Sequence, residues 1–237
     1  MTKVPKKAPF DAILFDLFGT LISSGNRAAR KVFIEETADA LGLAPESFSK
    51  DFFGSQDPRM RGGIGLAESY KSIAATHGQH PPESQIRRAV EIRSAYMWSL
   101  METCVVTTPI LDELRRAGIR LAVVSDSSEE IPSLWPRSPL SRRMEVAIFS
   151  CQVGCRKPDP RIYGHALQAL GLPAERCAFV GDGGSHELTG ATKAGLSAFL
   201  FRFPADEPEE IYQLDGESGW SGPMLSDLRL LLSPRVN

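Results

Sequence analysis

Along the C-terminal half of the chain, short apolar runs alternate with amphipathic stretches. Five runs predict strands: 10–15 (FDAILF), 119–124 (IRLAVV), 145–149 (EVAIF), 177–180 (CAFV) and 197–201 (SAFLF). Four of them are almost continuously apolar, as expected of strands covered on both faces, and their alternation with helices predicts a parallel sheet in an α/β fold. The stretch 159–170 opens on Asp159-Pro160, an N-cap followed by a proline suited to the first helical position, and ends at Gly171. Ile162, Tyr163, Ala166, Leu167 and Leu170 fall on one face of that helix. A second helix is predicted over 185–194, with Gly195 just beyond it.

Between the first two strands no further strand is readable. The pattern predicts helices near 26–41, 45–53, 64–77 and 83–103, broken by DPRMRGG and THGQHPP. A crossover between parallel strands needs only one helix, so the surplus predicts an inserted helical cap over 24–103. The α/β core then comprises 10–23 and 104–237, preceded by a basic tail over 1–9. The stretch from 203 onward reads as a surface extension with one last helix near 223–232.

Composition narrows the function classes. The 237 residues carry a net charge of −2, with 42% hydrophobic and 24% charged positions. A nucleic-acid binder needs a basic surplus to neutralise phosphates, and none is present. No apolar run approaches the roughly 20 residues of a membrane span. The opening MTKVPKKAPF lacks the apolar core of a secretory signal. Four cysteines (Cys104, Cys151, Cys155, Cys177) in a chain of this length make no disulfide framework. The expectation is a soluble cytoplasmic protein, monomer or homodimer, acting on a small molecule without nucleic-acid or membrane partners.

The chemistry gathers after the strands. Asp16, Ser125, Ser150 and Asp182 stand at or just beyond carboxyl ends, where open α/β sheets bind ligands. Asp16-Leu17-Phe18-Gly19-Thr20 places a carboxylate at a strand end, able to act as nucleophile or metal ligand, with Gly19 for a sharp turn and Thr20 as a donor. A buried aspartate capping a turn is the competing reading. Ser125-Asp126-Ser127-Ser128 offers hydroxyls and N–H groups to an anion. Lys157 sits beside a rigid helix start and could neutralise a phosphoryl group. Asp182 and Glu187, with glycines between, can converge on a hard cation.

The order and context of these four features resemble the haloacid dehalogenase superfamily of hydrolases, in the branch whose cap follows the first motif. Asp16 to Thr20 match motif one, Ser125 motif two, Lys157 to Pro160 motif three, and Gly181-Asp182 through Glu187 motif four. The resemblance implies a Rossmann-like core and a nucleophilic Asp16 that forms a covalent aspartyl intermediate. In phosphatase members it implies Mg²⁺ held by Asp16, the Phe18 carbonyl, Asp182 and Glu187. Ser125 would then hydrogen-bond the phosphoryl group and Lys157 would screen its charge. One position departs: phosphatases of the family carry a second Asp two residues after the nucleophile as general acid and base, and Phe18 cannot transfer a proton. An aromatic there is common in the dehalogenase branch.

Four readings follow. The first is a Mg²⁺-dependent phosphatase. The others are a 2-haloacid dehalogenase, a C–P bond hydrolase using a lysine such as Lys50 or Lys71, and a decayed catalyst kept for binding. Arg59 and Arg61, in the glycine-rich loop after Asp57, could clamp an acidic substrate or simply be solvated. His186 is a candidate proton donor, and His77 with His80 a weak metal pair.

Overall fold

The structure, a computed structural model, describes residues 9–204 and 220–233. It is a Rossmann-like α/β fold. Five parallel strands, β1 (Ala12–Phe15), β2 (Arg120–Ser125), β3 (Val146–Phe149), β4 (Cys177–Gly181) and β5 (Ser197–Leu200), lie in the order β3-β2-β1-β4-β5. Phe15 faces Val123 on one side and Val180 on the other, so β1 is central and fully buried. Alternation along β1 feeds two cores. Ile13 and Phe15 enter one with Leu121 and Val180, and Ala12 and Leu14 enter the other with Ala122 and Phe179.

Between β1 and β2 run α1 (Arg27–Leu41), α2 (Pro45–Gly54), α3 (Gln56–Met60), α4 (Leu66–Thr76) and α5 (Glu83–Glu102). Asn26 caps α1 by accepting from the Ala29 N–H at 2.7 Å, and Gly42 ends it in a left-handed turn. These helices close on their own apolar cluster, in which Phe33, Phe48, Phe52 and Tyr70 pack ring against ring. The insertion is therefore a body with a core of its own.

The remaining helices are α6 (Thr108–Arg116), α7 (Glu130–Leu134), α8 (Ser150–Val153), α9 (Pro160–Leu170) and α10 (Glu187–Lys193). Asp159 caps α9 through the Arg161 N–H, and Gly171 closes it, as the sequence predicts. Helix α10 starts two residues later than predicted, because Ser185 and His186 adopt positive φ.

The extension after 203 needs correction. Leu225, Leu228 and Leu231 are buried in the main core, Arg229 pairs with Glu113 of α6 at 2.9 Å, and the last turn, Leu228–Leu232, is 3₁₀ rather than α. The Leu225 N–H also donates to the Leu200 carbonyl, so this stretch covers the open edge of β5. Residues 205–219 and 1–8 lie outside the described residues. Among the described residues no helix is long and apolar enough to cross a membrane.

Candidate active site

The sheet order reverses between β1 and β4, and at that switch point the carboxyl ends bring Asp16 and Asp182 together. The Asp16 N–H donates to the Val180 carbonyl at 2.8 Å, which fixes the strand end before the loop departs. Gly19, at φ 73°, turns the chain beneath Asp182, and a Cβ there would run into the Asp182 carboxylate. Glu187 opens α10, held by the Tyr163 hydroxyl, which donates to its backbone carbonyl at 2.7 Å. Its side chain folds back to accept from the Gly183 N–H at 3.1 Å. A Cβ on Gly181 would collide with the Glu187 carboxylate and the Phe179 ring. Gly181→Ala should therefore cost about 1–3 kcal/mol of stability, as overpacking in a closed core does, and urea unfolding would read it.

Lys157 closes the site. Its ammonium donates to Asp16 Oδ1 and to Glu187 Oε2, and all three side chains are almost fully buried. The motif-three loop is pinned by Asp126, which accepts from the Lys157 backbone N–H at 2.9 Å and from Arg156 Nε at 3.2 Å. One oxygen each of Asp16, Asp182 and Glu187 lies within 4.8 Å of the others, the one such acidic cluster among the described residues.

Three buried carboxylates thus face a single ammonium. Burial raises the Asp16 carboxyl to about 6, with Asp182 adding to the rise and Lys157 opposing it. Burial, together with Asp16 and Asp182, lifts Glu187 well above the usual carboxylate range. Burial alone would lower Lys157, but Asp16, Glu187 and Asp126 hold it charged. The cluster crowds three carboxyl groups around one ammonium in a buried site, and hard oxygen donors in this arrangement suit a divalent cation such as Mg²⁺.

A family model for haloacid dehalogenase-like hydrolases matches residues 10–195. The chain belongs to that family. A mouse protein named haloacid dehalogenase-like hydrolase domain-containing protein 3 is 31% identical over 46% of this chain and 43% of its own length. A glyceraldehyde 3-phosphate phosphatase from Methanothermobacter thermautotrophicus is 33% identical over 44% of this chain and 46% of its own. The chain thus spans under half the length of these curated relatives. A HAD family enzyme of Bacteroides thetaiotaomicron, solved with magnesium and inorganic phosphate, shares the fold. Its TM-score is 0.61 at 18% identity, covering 84% of this chain and 98% of that one.

In this haloacid dehalogenase-like hydrolase, Asp16, Phe18, Asp126, Lys157, Asp182 and Glu187 line one cavity of about 220 Å³. Ser125 lies fully buried at the end of β2, and its hydroxyl meets no partner among the described residues. The same holds for Thr20 below the loop and for Ser127, which does line the cavity. Ser150 anchors that loop by accepting from the Ser127 N–H at 2.9 Å.

The two loop arginines do not reach this cavity. Arg59 turns inward, stacks over Phe52 at 4.0 Å and donates to the Phe52 carbonyl and Ser69. Aromatic packing within the insertion claims its guanidinium, while Arg61 pairs at the surface with Asp57 at 2.8 Å. His77 meets Asp51 rather than a metal cluster, His186 is exposed, and Lys71 pairs with Glu83.

Sequence reasoning missed Arg93 and Glu130. Arg93 of α5 donates to Glu130 at 2.8 Å across the junction between insertion and core, and Ser128 donates to the same oxygen. Although Glu130 is buried, Arg93 and these donors hold its carboxyl below the usual range. Arg87, Arg88 and Arg93 share one helix, and nothing in their spacing singles out the last. Glu129 adds a second tie by accepting from the Leu66 N–H at 2.7 Å, and Arg156 a third through Asp57 at 3.2 Å.

Proposed function

We propose that this chain is a Mg²⁺-dependent phosphatase of a small phosphorylated metabolite, with Asp16 as nucleophile. The observation that carries this reading is the pairing of Asp16 with Lys157 inside a cluster that also holds Asp182 and Glu187. A carboxylate attacks a phosphate dianion only where cations offset their repulsion. Mg²⁺, held by Asp16, the Phe18 carbonyl, Asp182 and Glu187, would supply that offset at the phosphoryl oxygens. Lys157 adds a fixed positive charge beside the attacking carboxylate, and the Ser125 hydroxyl has a hydrogen bond left to give a phosphoryl oxygen. Asp16 takes the phosphoryl group as an aspartyl phosphate, which water then cleaves. The Methanothermobacter relative's phosphatase name and the magnesium and phosphate of the Bacteroides enzyme point the same way.

In this reading α1 to α5 form a cap over the site. Arg93–Glu130, Arg156–Asp57 and the Glu129–Leu66 contact hold it closed, excluding bulk water while substrate is bound. Gly19, Thr20 and Asp126 shape and brace the loops rather than grip substrate.

Phosphate release from a panel of phosphate esters, with and without Mg²⁺ and with Asp16→Asn as blank, tests the proposal. Metal-dependent release lost in the blank is the expected result. Phe18 is the one residue that favours dehalogenation instead. Halide release from 2-chloropropionate, independent of Mg²⁺ and without phosphatase activity, would replace the phosphatase reading with that one.

A further inference from the structure

We propose that the group this site expels is a weakly basic oxygen on an apolar body, as in an aryl, enol or acyl phosphate, and not the alkoxide of a sugar or polyol. The proposal rests on the phosphatase reading and deepens it. Two independent observations carry it: the proton donors around Asp16 and the walls of the cavity.

Among the described residues that line the cavity, each candidate acid is lacking or already committed. Phe18, two residues after the nucleophile, lines the cavity and offers no acid. Asp126 has both oxygens engaged, one by the Lys157 N–H and one by Arg156. Glu130 is held as a carboxylate by Arg93 and Ser128. Asp182 and Glu187 belong to the cation cluster. His186 is exposed and does not line the cavity. The Tyr96 ring stacks on Phe33 at 5.0 Å, and its hydroxyl lies so close to Gly25 that a Cβ there would collide with it.

The walls speak to the rest of the substrate. Phe53, Met60, Tyr96, Met97 and Leu100 of the insertion, with Ile131 of the core, line the cavity that Asp16 opens into. Three arginines line the cavity, and each has a protein partner: Arg93 is engaged by Glu130, Arg156 by Asp126, and Arg30 donates to the Gly25 carbonyl at 3.4 Å, so among the described residues no arginine there is kept for a second anionic group. A cavity of about 150 Å³ lined by apolar side chains holds benzene. At about 220 Å³ this one has room for a phosphoryl group and one ring or short chain.

The step balances without a protein acid. As the Asp16 oxygen bonds to phosphorus, the ester P–O bond breaks and its electron pair stays on the leaving oxygen. Water then cleaves the aspartyl phosphate and passes a proton to the phosphate, so the products are the leaving-group anion and dihydrogen phosphate. A phenol near pKa 10 or a carboxylic acid near 4 leaves in this way. An alcohol, a far weaker acid than a phenol, does not.

The test is kcat/KM on the full chain with Mg²⁺, using substituted phenyl phosphates, acetyl phosphate, glycerol phosphate and glucose 6-phosphate. The expected result is a steep fall in rate as leaving-group pKa rises, with alkyl phosphates at least about 10²-fold below phenyl phosphate. Phe18→Asp should raise the alkyl substrates more than the aryl ones and flatten the slope. Alkyl and aryl phosphates hydrolysed alike by the unmodified chain would overturn the proposal and leave the phosphatase reading standing. So would a selective loss of alkyl hydrolysis in Tyr96→Phe, which would name Tyr96 as the acid. No phosphate release from any ester would overturn both.

Discussion

Asp16→Asn should lower turnover by at least about 10⁴-fold, to the background of the assay, without weakening the fold. The amide keeps the shape of the carboxylate and can still accept a hydrogen bond from Lys157. It cannot form an acyl phosphate, so the chemistry stops at its first step. The stability half of the prediction comes from the charge count. Asp16, Asp182 and Glu187 crowd one ammonium in a buried site, and burial has already pushed the Asp16 carboxyl to about 6. Neutralising one of the three relieves repulsion, so the metal-free variant should melt no lower than the parent protein. The rise in melting temperature on adding Mg²⁺ should shrink, because one ligand charge is gone and binding to the native state is weaker. Retained turnover would remove Asp16 as nucleophile. A clear loss of stability would mean that the cluster is held by attraction to Lys157 more than it is strained by repulsion.

What could be read from the sequence divides along a physical line. The three inner strands were legible because each is a short apolar run buried on both faces, and the edge strands β3 and β5, though only partly buried, keep the same apolar run. Asp16, Lys157, Asp182 and Glu187 were legible because each follows a strand or opens a helix, and the backbone alone carries such positions to one sheet edge. Arg59 was not, because its fate depends on the ring of Phe52 and the hydroxyl of Ser69, contacts made only when α2, α3 and α4 have closed. Arg93 and Glu130 escaped notice for the same reason, being paired across the junction of two bodies far apart in sequence. The closing leucines looked like part of a surface extension because the tail that carries them is rich in acidic residues. Packing against α6 and the edge of β5 buries Leu225, Leu228 and Leu231 all the same.

Lys157→Met should be the most damaging single substitution to stability at neutral pH. The side chain it replaces is, among the described residues, the one cation paired with Asp16 and Glu187, and both partners are buried. Methionine fills much the same volume, so the loss is electrostatic rather than a cavity. Removing one partner of a buried ion pair typically costs about 3–5 kcal/mol, because the charge left behind has no compensation. Here the remaining carboxylates can answer by keeping protons, and that gives the prediction its signature. With Lys157 gone, the native-state carboxyls sit still further above their unfolded values, so the native state binds more protons than the unfolded one. Stability must then fall as pH rises. The deficit relative to the parent protein should be smallest near pH 5 and grow toward pH 8, as chemical denaturation at several pH values would measure. Mg²⁺ should recover part of it, since a divalent cation among Asp16, Asp182 and Glu187 replaces the missing charge. Turnover should stay low even then, because a metal among the carboxylates does not restore the positive charge beside the attacking oxygen. A deficit independent of pH and untouched by Mg²⁺ would mean that Lys157 supports the fold through packing alone, and the charge balance drawn for this site would fail with it.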